Sequence, residues 1–219
     1  MIRLAIFDFD GTLADSLPHL FHLINRAAER FRFRSVTDAD LEALRGQDVT
    51  TVMRRLEVPR WKLPFIARYM RKVSAEFTPD LVPGIASLLR RLRAEDVRIA
   101  IVSSNSEANV RKALGPELAA LVDRYECGVS LFGKGRRLRK VLRRLRCPAA
   151  EGIYIGDELR DGDAAAAAGL PFGAVSWGLN QPDALRASAP AYFFTEVEEL
   201  AAVLTGEDKT RRSAASEVP

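Results

Sequence analysis

Short, almost wholly apolar runs recur along the chain and alternate with amphipathic stretches. The apolar runs lie at residues 2–7, 97–102, 153–155, 172–175 and, more weakly, 192–194. Runs of this length predict strands that are covered on both faces. Residues 85–92 carry apolar side chains at the spacing of one helical face, and a further helix is predicted over residues 105–114. The alternation predicts an α/β fold with a Rossmann-like parallel sheet core.

The alternation fails between the first predicted strand and Asp80. In this part of the chain the pattern predicts consecutive helices at residues 17–31, 38–44, 50–56 and 64–77. We therefore expect an inserted all-helical cap formed by residues 16–79. The core is then formed by residues 1–15 and 80–205. The tail, residues 206–219, lacks apolar periodicity, and we expect it to be disordered.

The strongest chemical signal is the run Asp-Phe-Asp-Gly-Thr that starts at Asp8, directly after the first predicted strand. In an extended backbone, side chains two residues apart point to the same side, so the carboxylates of Asp8 and Asp10 lie together. Close carboxylates repel each other unless a proton or a cation lies between them. The pair therefore predicts a divalent metal, proton sharing, or both.

Polar groups also follow two later strands. Ser103 closes the second strand before a predicted helix, whose N-terminus suits a phosphate oxygen, although Ser104 and Glu107 also fit a purely structural capping box. Asp157 and Asp161 follow the strand at residues 153–155. Their oxygens suit Mg²⁺, and acidic side chains also stabilise the start of a helix without any metal.

In this order, the motifs resemble those of the haloacid dehalogenase-like (HAD) hydrolase superfamily. The closest resemblance is to its phosphatase branch with a helical C1-type cap, such as phosphoglycolate phosphatase. The resemblance implies that Asp8 is the nucleophile that accepts the phosphoryl group and that Asp10 is the general acid/base. It implies that the reaction is hydrolysis of a small phosphate monoester through an aspartyl-phosphate.

The resemblance also assigns the groups around the nucleophile. It implies that Ser103, Ser104 and Lys134 bind the phosphate, although many relatives have proline where this chain has Gly135 after the lysine. It implies an Mg²⁺ cofactor whose ligand set we predict as Asp8, Asp10, Asp157 and Asp161. Within this set, the resemblance implies that Asp8, the backbone carbonyl of Asp10 and Asp157 contact the metal. Asp161 supports the metal shell or holds Lys134.

Substrate choice in such enzymes is set by the cap. Residues 16–79 hold 12 basic against 7 acidic side chains, a net charge of +5, which favours an anionic substrate. Arg45, between two predicted cap helices, is a candidate for a substrate carboxylate or second phosphate, or is simply an exposed helix-end arginine. Two alternatives stay open. One is a phosphoryl transferase similar to phosphoglucomutase, and the other is a basic module that binds RNA or protein.

Composition adds a basic bias. The 219 residues carry a net charge of +4 with a pI near 9.3, and residues 134–146 hold eight basic side chains and no acidic one. No aromatic residue lies among them, so the stacking surface typical of single-stranded nucleic acid binding is missing, and a small phosphorylated metabolite is the expected partner. Two cysteines and no long apolar run predict a cytoplasmic protein without a membrane span. The pattern leaves the oligomeric state open.

Overall fold

The computed structural model describes residues 1–37, 40, 47, 49–74, 77–128 and 133–207. Six strands form one parallel sheet in the order β3-β2-β1-β4-β5-β6. The strands are β1 (Leu4–Phe7), β2 (Arg98–Val102), β3 (Arg124–Glu126), β4 (Gly152–Gly156), β5 (Phe172–Val175) and β6 (Tyr192–Phe194). The helices are α1 (Leu17–Phe31), α2 (Val49–Arg55), α3 (Leu63–Ser74), α4 (Ile85–Ala94), α5 (Glu107–Ala120), α6 (Lys134–Arg144), α7 (Leu159–Ala168), α8 (Pro182–Ala187) and α9 (Val197–Thr205).

Strand β1 is the centre of the sheet, and its two faces contribute to two different cores. Ala5 and Phe7 pack on one side against α4, α5 and α9, whereas Leu4 and Ile6 pack on the other side against α6 and α7. Every residue of β1 is buried, which is the reason its sequence is apolar without alternation. The predicted parallel α/β sheet is confirmed.

One strand escapes the apolar pattern. Strand β3 has the sequence Arg-Tyr-Glu at the edge of the sheet, and only Glu126 is fully buried there. Because two of its three residues are charged, a search for apolar runs does not find this strand. The sheet therefore has six strands where the sequence predicts five.

The strand order reverses beside β1. The chain passes from β1 through β2 to β3 on one side and then from β4 to β6 on the other. In open parallel sheets of this kind, ligands bind at the carboxyl edge where the order reverses. The residues that follow β1, β2 and β4 all lie at that edge.

The helical insertion leaves and re-enters the sheet through adjacent segments. Asp15 N donates to the carbonyl of Asp80 at 2.9 Å, and Val82 N donates to the carbonyl of Leu13 at 3.0 Å. Within the insertion, the rings of Phe31 on α1 and Tyr69 on α3 meet edge to face at 5.6 Å. The predicted helix at residues 38–44 lies almost wholly outside the described residues, as does Arg45.

The described structure continues to Glu207, two residues beyond the predicted end of the core at residue 205. Helix α9 ends at Thr205, and the Glu207 carboxylate accepts from Arg91 Nη2 at 2.9 Å. Residues 208–219, most of the predicted disordered tail, lie outside the described residues. Among the helices that are described, none combines the length and the apolar character needed to cross a bilayer.

Replacing Leu89 by alanine is expected to lower the free energy of unfolding by about 3 kcal/mol, because Leu89 lies on α4 in the fully buried core. Urea unfolding of the variant measures this change. Replacement of the neighbouring exposed Arg90 by alanine is the control, and we expect a much smaller effect from it. Equal losses in the two variants would contradict the assignment of the core.

Candidate active site

The sequence-predicted residues meet at the carboxyl edge of the sheet. Asp8 follows β1, Ser103 follows β2 and Asp157 follows β4, while Lys134 is the first residue of α6. All four are buried, with at most 3% of each residue exposed. Such burial of charged side chains is tolerated only when they are paired or bind an ion.

Lys134 connects two of the acidic residues. Its Nζ donates to Asp8 Oδ2 at 2.5 Å and to Asp161 Oδ1 at 2.7 Å. Burial alone would lower the pKa of Lys134, but the neighbouring Asp161 and Asp8 carboxylates raise it above its usual value. The two carboxylates therefore favour the charged ammonium form beside the predicted nucleophile.

Both carboxylate oxygens of Asp161 accept hydrogen bonds from protein groups. Its Oδ1 accepts from Lys134 and, at 3.1 Å, from the Tyr154 hydroxyl, and its Oδ2 accepts from Glu158 N at 3.2 Å. Of the two roles that the sequence left open, these contacts suit the one in which Asp161 holds the lysine. Gly156 is required beside it, because a Cβ there would lie 2.5 Å from Asp161 Oδ2.

Each carboxylate oxygen of Asp157 accepts a hydrogen bond from the protein. Thr12 Oγ1 donates to Asp157 Oδ1 at 2.7 Å, and Leu179 N donates to Oδ2 at 2.7 Å. A Cβ at either Gly11 or Gly178 would overlap this side chain. The glycines therefore provide the space that the carboxylate occupies.

Asp10 faces a different neighbour. Asn105 Nδ2 donates to Asp10 Oδ2 at 3.2 Å, and Asn105 N donates to Ser103 Oγ at 3.0 Å. Burial raises the pKa of Asp10, against the hydrogen bonds from Asn105 and Ser16, which lower it. Asn105 thus links the predicted general acid/base to the predicted phosphate-binding serine, while Ser104 lies between them and is partly exposed.

The acidic cluster contains more carboxyl groups than cations. Asp8, Asp157 and Asp161 each offer a carboxylate oxygen, and these atoms lie within 4.8 Å of one another. Burial raises the pKa of Asp8 to about 7, and burial together with repulsion from Glu158 and Asp8 raises the pKa of Asp157 well above its usual value. Lys134 cannot neutralise all of these groups. The donor set, hard oxygens in a buried cluster, therefore fits a divalent cation such as Mg²⁺.

Several contributors were missed by the sequence reasoning. Asn105 and Thr12 lie inside the quoted motifs, so their polar side chains beside the predicted catalytic residues were a usable signal. Tyr154 and Gly178 gave no such signal, because each acts through a contact that only the fold creates. Arg45, the predicted cap contact, lies outside the described residues.

Gly135, the departure from the common proline, has a packing reason. A Cβ at this position would lie 3.3 Å from Ala167 Cβ and 3.4 Å from the carbonyl oxygen of Ala164. The small residue lets α6 approach α7 closely. Lys134 and Asp161 each lie in the first turn of one of these two helices.

Four of the seven basic residues of α6, Lys134 among them, donate to carboxylate or carbonyl oxygens. Arg137 Nη1 and Lys140 Nζ both donate to Glu126 Oε2 at 2.9 Å, and Arg139 Nη1 donates to the carbonyl of Ala167 at 2.5 Å. Arg136, Arg143 and Arg144 are exposed, and the described part of the chain shows no such contact for them. Cys127 and Cys147 are both free thiols.

Fold and site together define a Rossmann-like α/β protein with an acidic cluster at the carboxyl edge of its sheet. The family model for haloacid dehalogenase-like hydrolases matches residues 5–175. The chain is 32% identical over 203 residues to the phosphoglycolate phosphatase of Synechococcus elongatus, covering 91% of this chain and 96% of that protein. The chain therefore belongs to the haloacid dehalogenase-like hydrolase family, and its phosphatase homologues make it a phosphoric monoester hydrolase.

Solved structures agree on the fold. A predicted phosphatase from Clostridium acetobutylicum superposes with a TM-score of 0.79 at 23% identity, covering 93% of this chain and 98% of that chain. A haloacid dehalogenase-like family hydrolase from Streptococcus pneumoniae superposes with a TM-score of 0.77 at 19% identity, with coverage of 92% and 98%. At these identities the similarity establishes the architecture alone.

Proposed function

We propose that the protein is an Mg²⁺-dependent phosphatase that hydrolyses a small phosphate monoester through an aspartyl-phosphate on Asp8. The observation that carries the proposal is the contact of Lys134 Nζ with Asp8, 2.5 Å from Oδ2, inside a buried acidic cluster. A carboxylate beside a fixed cation at a strand end is suited to attack an anionic phosphate, since the cation offsets the repulsion between the two.

The first step transfers the phosphoryl group to the enzyme. An Asp8 oxygen forms a bond to phosphorus as the bond from phosphorus to the ester oxygen breaks, and Asp10 gives its proton to the departing alkoxide. Lys134 neutralises charge on the transferring group, and the Ser103 hydroxyl and the Ser104 N–H bind its oxygens. Asn105 supports the placement of both Asp10 and Ser103.

The second step releases phosphate. Asp10, now a carboxylate, accepts a proton from water as the water oxygen attacks the phosphorus of the aspartyl-phosphate. The bond from phosphorus to Asp8 breaks, and both residues return to their starting states. A phosphoryl transferase with the same residues would protect the aspartyl-phosphate from water, so release of inorganic phosphate distinguishes the two.

The metal would be held by Asp8, Asp157 and the backbone carbonyl of Asp10. When bound, Mg²⁺ supplies a Lewis acid that neutralises phosphate oxygens. Thr12 and Leu179 N orient Asp157 for this task. Asp161 is left to hold Lys134, because its Oδ1 accepts from the lysine ammonium, whereas Asp157 accepts from the neutral Thr12 hydroxyl and Leu179 N–H.

Residues 16–79 would act as the cap over this site. The insertion starts six residues after Asp10 and returns beside its own starting point, so it is attached next to the proposed chemistry. Its net charge of +5 favours a substrate with more than one anionic group. Together with the similarity to a phosphoglycolate phosphatase, this supports a compact substrate similar to phosphoglycolate.

A phosphate-release screen tests the proposal. The purified protein is incubated with Mg²⁺ and a panel of metabolite monoesters, including phosphoglycolate, in parallel with samples that contain excess chelator. We expect metal-dependent release from small anionic monoesters. Absence of release across the panel, or equal release with chelator, would overturn the proposal.

A further inference from the structure

Three cations converge on one buried carboxylate outside the proposed catalytic cluster. Glu126, the last residue of β3, is 3% exposed. Its Oε1 accepts from Arg124 Nε at 3.0 Å and from Arg124 Nη2 at 2.6 Å, and its Oε2 accepts from Arg137 and Lys140 at 2.9 Å. Although burial would raise the pKa of Glu126, these donors hold it below its usual value.

Two of the three donors belong to α6, the helix that begins with Lys134. Arg137 and Lys140 lie three and six residues after Lys134, about 4.5 and 9 Å along the helix axis. Gly133, the residue before the helix, has no side chain that could cap the first turn. The position of Lys134 therefore depends on how the following turns of α6 are held.

The other contacts of α6 do not fix its rotation equally well. Leu138 and Val141 are buried against the sheet, and Gly135 packs against α7. Apolar contacts are not directional, so they set the distance between the elements more firmly than the rotation or axial position of the helix. Hydrogen bonds to charged groups are directional and strong. Glu126 binds one side of α6 in this way, while Arg139 binds α7 on another side.

Glu126 also bonds to the predicted phosphate-binding strand end. Ser103 N donates to the backbone carbonyl of Glu126 at 3.3 Å. One residue therefore contacts both α6 and the segment that carries Ser103. We infer that Glu126 is a positioning residue, which holds α6 so that Lys134 Nζ meets Asp8. This inference rests on the proposed phosphatase function.

The test is a double-mutant cycle between Glu126 and Lys134, with p-nitrophenyl phosphate and Mg²⁺ as the assay. We expect Glu126→Gln to lower kcat/KM by about tenfold, since small misplacements of catalytic groups cost this much or more. In a Lys134→Met background we expect the same replacement to change the rate less than twofold. If Lys134→Met turns over too slowly to measure, the cycle is run on the affinity for inorganic phosphate, read from thermal unfolding.

Matched variants separate positioning from general stability. Glu117→Gln breaks an exposed ion pair with Arg90, and Arg143→Met removes an exposed cation of α6, so both should keep wild-type kcat/KM. Arg137→Met removes one of the donors to Glu126 and should lower kcat/KM several-fold. If Glu126→Gln does not fold, Arg137→Met is the variant used in the cycle with Lys134→Met. Wild-type rates for Glu126→Gln or Arg137→Met, or an equal loss with and without Lys134, would overturn the inference. A wild-type protein that releases no phosphate from p-nitrophenyl phosphate or from any monoester of the panel would overturn the proposed function instead.

Discussion

Asp8→Asn is expected to lower kcat by about a thousandfold or more, because an amide cannot attack phosphorus as a carboxylate does. The replacement is almost isosteric, and Asp8 sits where its Oδ1 accepts from Phe9 N and its Oδ2 accepts from Lys134. An asparagine oxygen can accept one of these bonds, so the fold should survive. The measurement is phosphate release in Mg²⁺ by wild type and variant at equal protein concentration.

The matched control is Asp163→Asn. Asp163 lies on α7, two residues from Asp161, but it is exposed. It loses the same charge as the catalytic variant, and we expect its activity to stay within twofold of wild type. Activity of Asp8→Asn within tenfold of wild type would exclude Asp8 as the nucleophile. Circular dichroism of both variants separates a chemical loss from unfolding.

Asp8, Ser103 and Asp157 could be predicted as site residues because each follows a strand whose apolar sequence is recognisable. Asp8 and Asp157 follow β1 and β4, which are wholly buried. Parallel strands bring their carboxyl ends to one edge, so the motifs had to meet once the sheet was parallel. Lys134 needed the family resemblance as well, because a lysine at the start of a helix is usually solvated.

The supporting contacts could not be predicted in the same way. Strand β3 is short, polar and at the sheet edge, so its pattern resembles a loop and the role of Glu126 stays hidden. The charges of α6 indicated a solvated face because Glu126, the partner of Arg137 and Lys140, lies in that unpredicted strand. Tyr154 shows the same limit, since it reads as one more apolar position of β4 although its hydroxyl donates to Asp161.

Charge balance explains why the site needs these supports. Asp8, Asp157 and Asp161 are buried within a few ångströms of one another, and Lys134 is the cation that contacts two of them. Small movements change repulsion between these carboxylates strongly in a buried environment. Each carboxylate is accordingly held by at least one donor from the protein backbone. The precision of the site comes from such donors and from the glycines that leave space for the side chains.

Gly178→Ala is expected to raise the Mg²⁺ concentration for half-maximal activity by about 10- to 100-fold, the range seen when groups that orient metal ligands are lost. The new methyl group would overlap Asp157, which must then move away from its bonds to Thr12 and Leu179 N. Activity is measured as a function of Mg²⁺ concentration for wild type and variant, with thermal unfolding of each recorded in parallel.

Two further variants decide whether the cause is local. Gly115→Ala adds a methyl group at a glycine with φ of 71° and nothing within 4 Å, so it should cost about 1–2 kcal/mol of stability with no change in the Mg²⁺ requirement. Thr12→Val removes only the Oγ1 bond to Asp157 and should raise the Mg²⁺ requirement by a smaller factor. If Gly178→Ala does not fold, Thr12→Val alone provides the test. An unchanged Mg²⁺ requirement in folded Gly178→Ala and Thr12→Val would remove Asp157 from the metal site, because both changes act on the Asp157 side chain.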